Sequence, residues 1–308
     1  MKGNAHPAIE HTNGMKYVQK IIPIAGRQLY GKICLFHGRG KMINEKEVLT
    51  NSSSDWSKHR SLLIVSTYGP NAVDDWLAIQ QHFISKYTNN YKFAVWTHNL
   101  DDESMFDYVL GTSKGDLLYA LPEMFHQIYY ACRNLEYKYD DYLILDSDCF
   151  PVKEGWKENL LDMMGDRWYA APVRTDNLDT VPHPCALFIR GEYINEHLFF
   201  FRRPSVGRMT NLLGEEVHDI GTGFKTEVDG KPVFFPLIRS NYLSPNPILA
   251  SIYGDTFYHH GAGSRTPWFR STPYWKKVIP DQYNKSLNCY EDLKKDPEGF
   301  VSKLRVVG

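Results

Sequence analysis

The chain has 308 residues, enough for one large domain or two small ones with a substantial core. Apolar residues make up 43% and charged residues 23%, the balance of an ordinary soluble globular protein. A formal net charge of −1 supplies no global field toward nucleic acid, so no nucleic-acid partner is expected. No apolar run reaches the length needed to cross a bilayer, so no transmembrane segment is expected either.

Five cysteines, Cys34, Cys132, Cys149, Cys185 and Cys289, are widely spaced, odd in number and form no CxxC pair. That argues against a zinc ribbon or a disulfide scaffold. Met1 to Gln19 is polar, and it predicts no secretory leader. The expected setting is a reducing cytoplasm, bacterial or that of a host cell. Lys276, Lys277, Lys294, Lys295, Lys303 and Arg305 form a basic run interrupted by acids, which reads as a solvated face.

Residues 1–58 differ from the rest. Short apolar pieces punctuated by Gly26, Gly31, Gly38 and Gly40 suggest small strands or a hairpin, an N-terminal extension to a domain over 59–308. The apolar run Ser61–Ser66 predicts a strand buried on both faces, ending in a turn at Thr67–Asn71. Trp76, Ile79, Phe83 and Tyr87 then recur at helical spacing over Asp74–Tyr87. A second strand is expected over Tyr91–Thr97 and a second helix over Gly115–Leu135, with Pro122 at its start or at a kink. A third strand, Asp141–Leu145, runs into Asp146-Ser147-Asp148. Farther on, Ala186–Arg190, Val233–Phe235 and Thr256–Tyr258 read as strands among long loops. The alternation predicts an α/β domain with a mainly parallel central sheet flanked by helices. Thr67, Tyr68, Asp146 and Asp148 all fall at carboxyl ends of strands, where such sheets place their ligands.

Two carboxylates one residue apart at a strand end can reach one divalent cation when the backbone turns there. Asp146 and Asp148 meet that description, and burying them between apolar segments is costly unless something pairs with them. The bland reading is an acidic turn. A hard cation such as Mn²⁺ or Mg²⁺ prefers oxygen ligands and offsets charge on phosphate groups.

Tyr139-Asp140-Asp141-Tyr142-Leu143-Ile144-Leu145-Asp146-Ser147-Asp148 resembles the strand and DxD motif of GT-A glycosyltransferases, in the style of the glycogenin-like and bacterial lipopolysaccharide galactosyltransferase family. Downstream, His260, Gly263, Pro267 and Trp268 keep the spacing of that family's H-x-x-G-x-x-K-P-W element, with Thr266 in place of the Lys. The resemblance covers Ser61 to Trp268. It implies a GT-A (nucleotide-diphospho-sugar transferase) fold, a nucleotide-sugar donor, most often UDP-linked, and a hydroxyl acceptor. Asp146 would bind metal and ribose, and Asp148 and His260 would ligate Mn²⁺ or Mg²⁺. His259 competes with His260 for that role. Arg265 would steady the diphosphate in place of the missing Lys, and Ser66-Thr67-Tyr68 would line the base pocket. Tyr68 reads equally well as a turn residue. The tail element resembles that of retaining enzymes.

An inverting transferase needs a carboxylate base near the acceptor hydroxyl, and Asp219, with Glu216 next, sits in the acidic, glycine-flanked stretch Gly214–Gly221. A retaining enzyme would use the same acid to orient the donor sugar, and helix capping is the bland reading of each residue. His183, in Pro182-His183-Pro184-Cys185, reads as a turn residue. Three other readings compete. A sugar nucleotidyltransferase wants a glycine-rich phosphate loop, which Thr67–Asn71 is not, and Gly40-Lys41 is followed by Met42 with Leu35 at the upstream glycine position. A metal-dependent hydrolase wants more ligands than the sequence spacing supplies. A non-catalytic carbohydrate-binding module has no use for a buried acidic pair.

Overall fold

The computed structural model describes residues 61–114, 117–175, 181–198, 207–210, 216–241, 250–261 and 280–305. The extension expected over 1–58 lies outside the described residues. Eleven elements occupy the described residues up to 198: β1 (Leu62–Tyr68), α1 (Pro70–Tyr87), β2 (Tyr91–His98), β3 (Val109–Ser113), α2 (Leu117–Arg133), β4 (Asp141–Asp146), β5 (Cys149–Pro151), α3 (Trp156–Met164), β6 (Tyr169–Val173), β7 (Ala186–Arg190) and a 3-10 turn at Gly191–Tyr193. Short strands follow: β8 (Gly207–Thr210), β9 (Glu216–Asp219), β10 (Glu227–Val228), β11 (Lys231–Pro232), β12 (Phe234–Ile238), β13 (Ser251–Tyr253) and β14 (Phe257–His259). The helices α4 (Pro280–Lys295) and α5 (Pro297–Arg305) are the last of the described elements.

The domain is α/β, with a seven-stranded sheet in the order β12-β6-β7-β4-β1-β2-β3. Pairing is parallel for β1 with β2 and β4, β2 with β3, and β12 with β6. Only β7 runs against its neighbours β4 and β6. Alternate residues of the central strands go to opposite faces, and both faces are buried. Leu63 and Val65 of β1, Tyr142 and Ile144 of β4, and Leu187 and Ile189 of β7 join one cluster with Phe125, Ile128 and Tyr129 of α2. Leu62, Ile64, Leu143, Leu145 and Phe188 face the other way, onto Trp156, Leu160 and Met164 of α3. That two-sided burial is why these strands read as unbroken apolar runs.

The helix expected from Asp74 begins earlier, because Pro70 already has the φ of a first-turn residue and lacks only an N–H that would be orphaned there. Trp76, Ile79 and Phe83 then bury one stripe. Pro122 lies inside α2 instead of starting it. Lys294, Lys295, Lys303 and Arg305 of the basic C-terminal run belong to α4 and α5, which also carry a buried side, Tyr290, Leu293, Val301 and Leu304, and Lys276 and Lys277 lie outside the described residues.

A second, three-stranded antiparallel sheet, β13-β14-β5, sits at the end of β4. Its hairpin turns through Gly254 and Asp255, at φ 59° and 50°. The Thr256 amide donates to the Tyr253 carbonyl at 2.9 Å. Positive φ at both central residues is what a type I′ turn demands. The Asp255 carboxylate also meets Lys153 at 2.9 Å and Arg305 at 3.2 Å, tying α5 to this turn.

Partial burial raises the Asp255 carboxyl, but Lys153 and Arg305 outweigh it and hold it below the ordinary value. A folded-state value below the unfolded one stabilises the protein above the unfolded value, and the contribution disappears as pH falls through the folded one. Asn tolerates the left-handed backbone at this position, so Asp255→Asn removes mainly the charge. It should lower the denaturation midpoint at neutral pH by the equivalent of less than about 1 kcal/mol. Urea titrations should show that difference shrinking below about pH 4 and in high salt.

Candidate metal centre

The acidic pair is placed by two pairings that meet at one turn. Asp146 ends β4 beside Thr67 of β1, and its amide donates to the Cys185 carbonyl at 2.9 Å, just before β7. Three residues later β5 begins and pairs with β14, setting His259 opposite Cys149. The His260 amide donates to the Asp148 carbonyl at 3.1 Å. Residues distant in sequence are thereby fastened to the two sides of Asp146-Ser147-Asp148.

Donor atoms of Asp146, Asp148 and His259 all lie within 4.8 Å of one another. His259 Nε2 is 3.6 Å from Asp148 Oδ1, and both side chains are nearly closed off from solvent. Asp146 is half-buried and so gives the cluster an open side. Two carboxylates in such a place need a compensating positive charge. Burial alone would lower the His259 imidazole, but Cys185, Asp148 and Asp146 around it push it up to about 9.

The histidine in this cluster is His259; spacing in the sequence pointed to His260. The reason is strand alternation. Phe257 shares its face with Cys149 in one core cluster, whereas Tyr258 packs with Phe150 in another. His259 follows Phe257's side toward the aspartates. His260 goes with Tyr258, whose Oη is hydrogen-bonded to its Nδ1 at 2.9 Å. Its ring rests 4.9 Å from that of Trp76 and 6.1 Å from that of Tyr290. Burial among these rings pushes the His260 imidazole down to about 4, so it is a neutral core residue.

Gln80 is a site residue absent from the sequence reading. Fully buried on α1, its Nε2 donates to the Asp146 carbonyl at 2.9 Å and the Cys149 carbonyl at 2.7 Å. Its Oε1 accepts the Tyr68 hydroxyl at 2.6 Å. One amide thus holds both ends of the acidic turn. A polar residue among the apolar positions of a helix, between Trp76 and Phe83, is the signal that marks it. Tyr68, expected in a base pocket, is fully buried and bonded to Gln80, and burial pushes its phenol up. Thr67 is half-exposed beside Asp146, its hydroxyl 3.4 Å from the Leu145 carbonyl.

His183 and Cys185 also border the cluster. Donor atoms of His183, Cys185 and His259 lie within 4.8 Å of one another, and the two imidazole rings are 5.5 Å apart. Burial raises the Cys185 thiol, but a hydrogen bond from Cys149 and the imidazoles of His259 and His183 outweigh it and hold it well below the ordinary thiol range. Cys132, Cys149, Cys185 and Cys289 are all free and buried. Arg265 and the side chains of Glu216 and Asp219 lie outside the described residues. The backbone of β9 pairs with β8 and enters a 3-10 turn at Ile220–Gly223. A Cβ on Gly221 would overlap the Pro182 carbonyl oxygen, so this turn abuts the segment leading to His183.

No protein-family model matches the chain, and no curated protein sequence matches it either. Among solved structures it is similar to the glycosyltransferase GlyE of Streptococcus pneumoniae TIGR4, at 14% identity and a TM-score of 0.31 over 44% of this chain and 35% of that one. It is similar to the galactosyltransferase LgtC, determined in complex with donor and acceptor sugar analogues, at 12% identity and a TM-score of 0.31 over 44% of this chain and 60% of that one. A glycosyltransferase involved in glycosylation of the major capsid of PBCV-1 is similar at 12% identity and a TM-score of 0.26, over 44% and 62%. The chain therefore spans about a third of GlyE and three-fifths of LgtC. Among the described residues no helix is long and apolar enough to cross a membrane.

Gln80→Leu should orphan the Tyr68 hydroxyl and the two turn carbonyls at once. Each buried polar group left without a partner costs about 1–3 kcal/mol, so a loss of several is expected. Equilibrium urea unfolding should show a lower midpoint with an unchanged slope. A wild-type midpoint would mean that the amide does not hold the turn.

Proposed function

We propose that this chain is a glycosyltransferase that moves a sugar from a nucleotide-sugar donor, UDP-linked by preference, to a hydroxyl acceptor. The observation that supports it best is the meeting of two strand-end carboxylates with a histidine from a far strand at the carboxyl edge of a parallel sheet. Glycosyltransferases stand among the proteins it is similar to, but the reading rests on the cluster.

Two carboxylate oxygens and one imidazole nitrogen suit Mn²⁺ or Mg²⁺, with the remaining positions left to a diphosphate. A cation bound there offsets the charge that builds as a nucleoside diphosphate departs. Asp148 and His259 would hold it from the buried side, and Asp146, half-exposed, would also face the ribose. Thr67 lies beside Asp146 in register and would border the base. Tyr68, inside the core, supports the turn through Gln80 instead of stacking on the base. Arg265, on the segment after β14, is assigned to the diphosphate. Asp219, or Glu216 beside it, is assigned to the acceptor or donor sugar, at the end of a strand whose following turn abuts Pro182. The resemblance of the tail element to that of retaining enzymes favours retention of configuration.

The metal-dependent hydrolase reading gains one observation, the extra imidazole of His183 beside His259. Acceptor dependence separates the two. A transferase releases nucleoside diphosphate faster when its acceptor is added and yields a glycosylated acceptor, whereas a hydrolase gives free sugar alone.

Screening nucleotide-sugars with Mn²⁺ should identify a donor that is slowly hydrolysed. Asp148→Ala should abolish that metal-dependent turnover while circular dichroism stays that of the wild type. His259→Ala should reduce it at least tenfold through weaker Mn²⁺ binding, a loss of about 1.4 kcal/mol or more. Wild-type turnover in Asp148→Ala would sink the assignment.

A further inference from the structure

The segment 183–185 leads into β7, and β7 pairs with β4, whose end carries Asp146. That pairing brings His183 and Cys185 beside His259. His183, Cys185 and His259 present two imidazole nitrogens and a thiol sulfur, all within 4.8 Å of one another, with Cys185 and His259 buried and His183 half-buried. Nothing in the glycosyl-transfer reading uses His183 or Cys185.

The donor set decides which ion belongs there. Mn²⁺ and Mg²⁺ prefer oxygen, whereas a thiolate with two imidazoles suits a borderline ion such as Zn²⁺. Zn–N and Zn–S bonds of about 2.0–2.3 Å put tetrahedral ligand atoms roughly 3.3–3.8 Å apart, a small contraction from the observed spread. His183 Nδ1 now accepts the Cys185 amide at 3.3 Å. That long bond is given up when either ring nitrogen takes an ion, a small loss against a Zn–N bond.

We propose that His183, Cys185 and His259 form a second cation site, selective for Zn²⁺-like ions, and that its occupation withdraws His259 from the acidic pair. Binding converts the Cys185 thiol to a metal-bound thiolate and releases its proton to solvent. His259 has one position and two sets of partners, so Zn²⁺ in the soft site weakens Mn²⁺ in the hard one. The competition rests on the proposed function's reading of Asp146 and Asp148 as a cation site; the binding of Zn²⁺ does not.

Co²⁺ makes the soft site visible, because a Cys–Co²⁺ bond gives a near-ultraviolet charge-transfer band that oxygen and imidazole ligands do not. Titrating the full chain with Co²⁺ should develop that band, and Zn²⁺ should remove it by displacement. Cys185→Ser should abolish the band, while Asp148→Asn should keep it. Adding Zn²⁺ to the Mn²⁺-loaded protein should raise the electron paramagnetic resonance signal of free Mn²⁺. A wild-type chain that gives no band overturns the proposal whatever the variants do, and so does a folded Cys185→Ser that keeps the full band. A band without any Mn²⁺ binding defeats the reading of the acidic pair and leaves the soft site standing. Mn²⁺ binding without a band does the reverse. Mn²⁺ that stays bound when Zn²⁺ saturates the band overturns the shared use of His259.

Discussion

The pairing of β14 with β5 is the constraint on which the rest of the site depends. β5 starts directly after Asp148, so any strand paired to it delivers side chains to the acidic turn. The register sets His259 opposite Cys149 and gives the His260 amide to the Asp148 carbonyl. A slip of one residue would exchange the two histidines, sending a neutral core imidazole to the carboxylates and a polar one into the aromatic cluster. The register is held from both ends. The Gly254-Asp255 turn fixes the hairpin, and Tyr258 stacks on Phe150 at 4.8 Å between ring centroids.

Placing carboxylates here opposes folding. Asp148 is buried and Asp146 half-buried, and the effective penalty for an uncompensated buried ion is several kcal/mol. The chain spends a buried glutamine to hold the turn in that position, with all three of its hydrogen bonds directed to the turn or to Tyr68. A stable turn with compressed negative charge and an open side is poor economy for a scaffold and good design for a cation-binding site, because the ion provides the missing compensation.

Much of the sheet was legible because two-sided burial leaves unbroken apolar runs. β1, β2, β4 and β7 were each readable to within a residue or two for that reason. β6 was not, since Tyr169–Val173 carries two alanines and a proline and is short. The reversed direction of β7 leaves no trace in a local pattern, because both parallel and antiparallel strands are apolar when covered on both faces. α3 escaped notice for a similar reason: nine residues give too few turns for periodicity to stand out. In the site, the aspartates were legible as a strand-end pair. The choice between His259 and His260 was not, because it turns on which face of a three-residue strand each occupies, and motif spacing carries no information on faces. The Gly-Asp turn ahead of β14 was the available clue. His183 read as a turn residue, and only the β4–β7 pairing shows what it and Cys185 adjoin.

The central claim is that one cation is shared by Asp146, Asp148 and His259. Crystals grown with Mn²⁺ and a nucleoside diphosphate test it directly through the anomalous scattering of the metal. The account predicts an anomalous peak within bonding distance of both carboxylates and His259 Nε2, with diphosphate oxygens completing the shell and His260 still packed on Trp76. A peak coordinated by His260, or bound nucleotide with no metal between the aspartates and its phosphates, would contradict it.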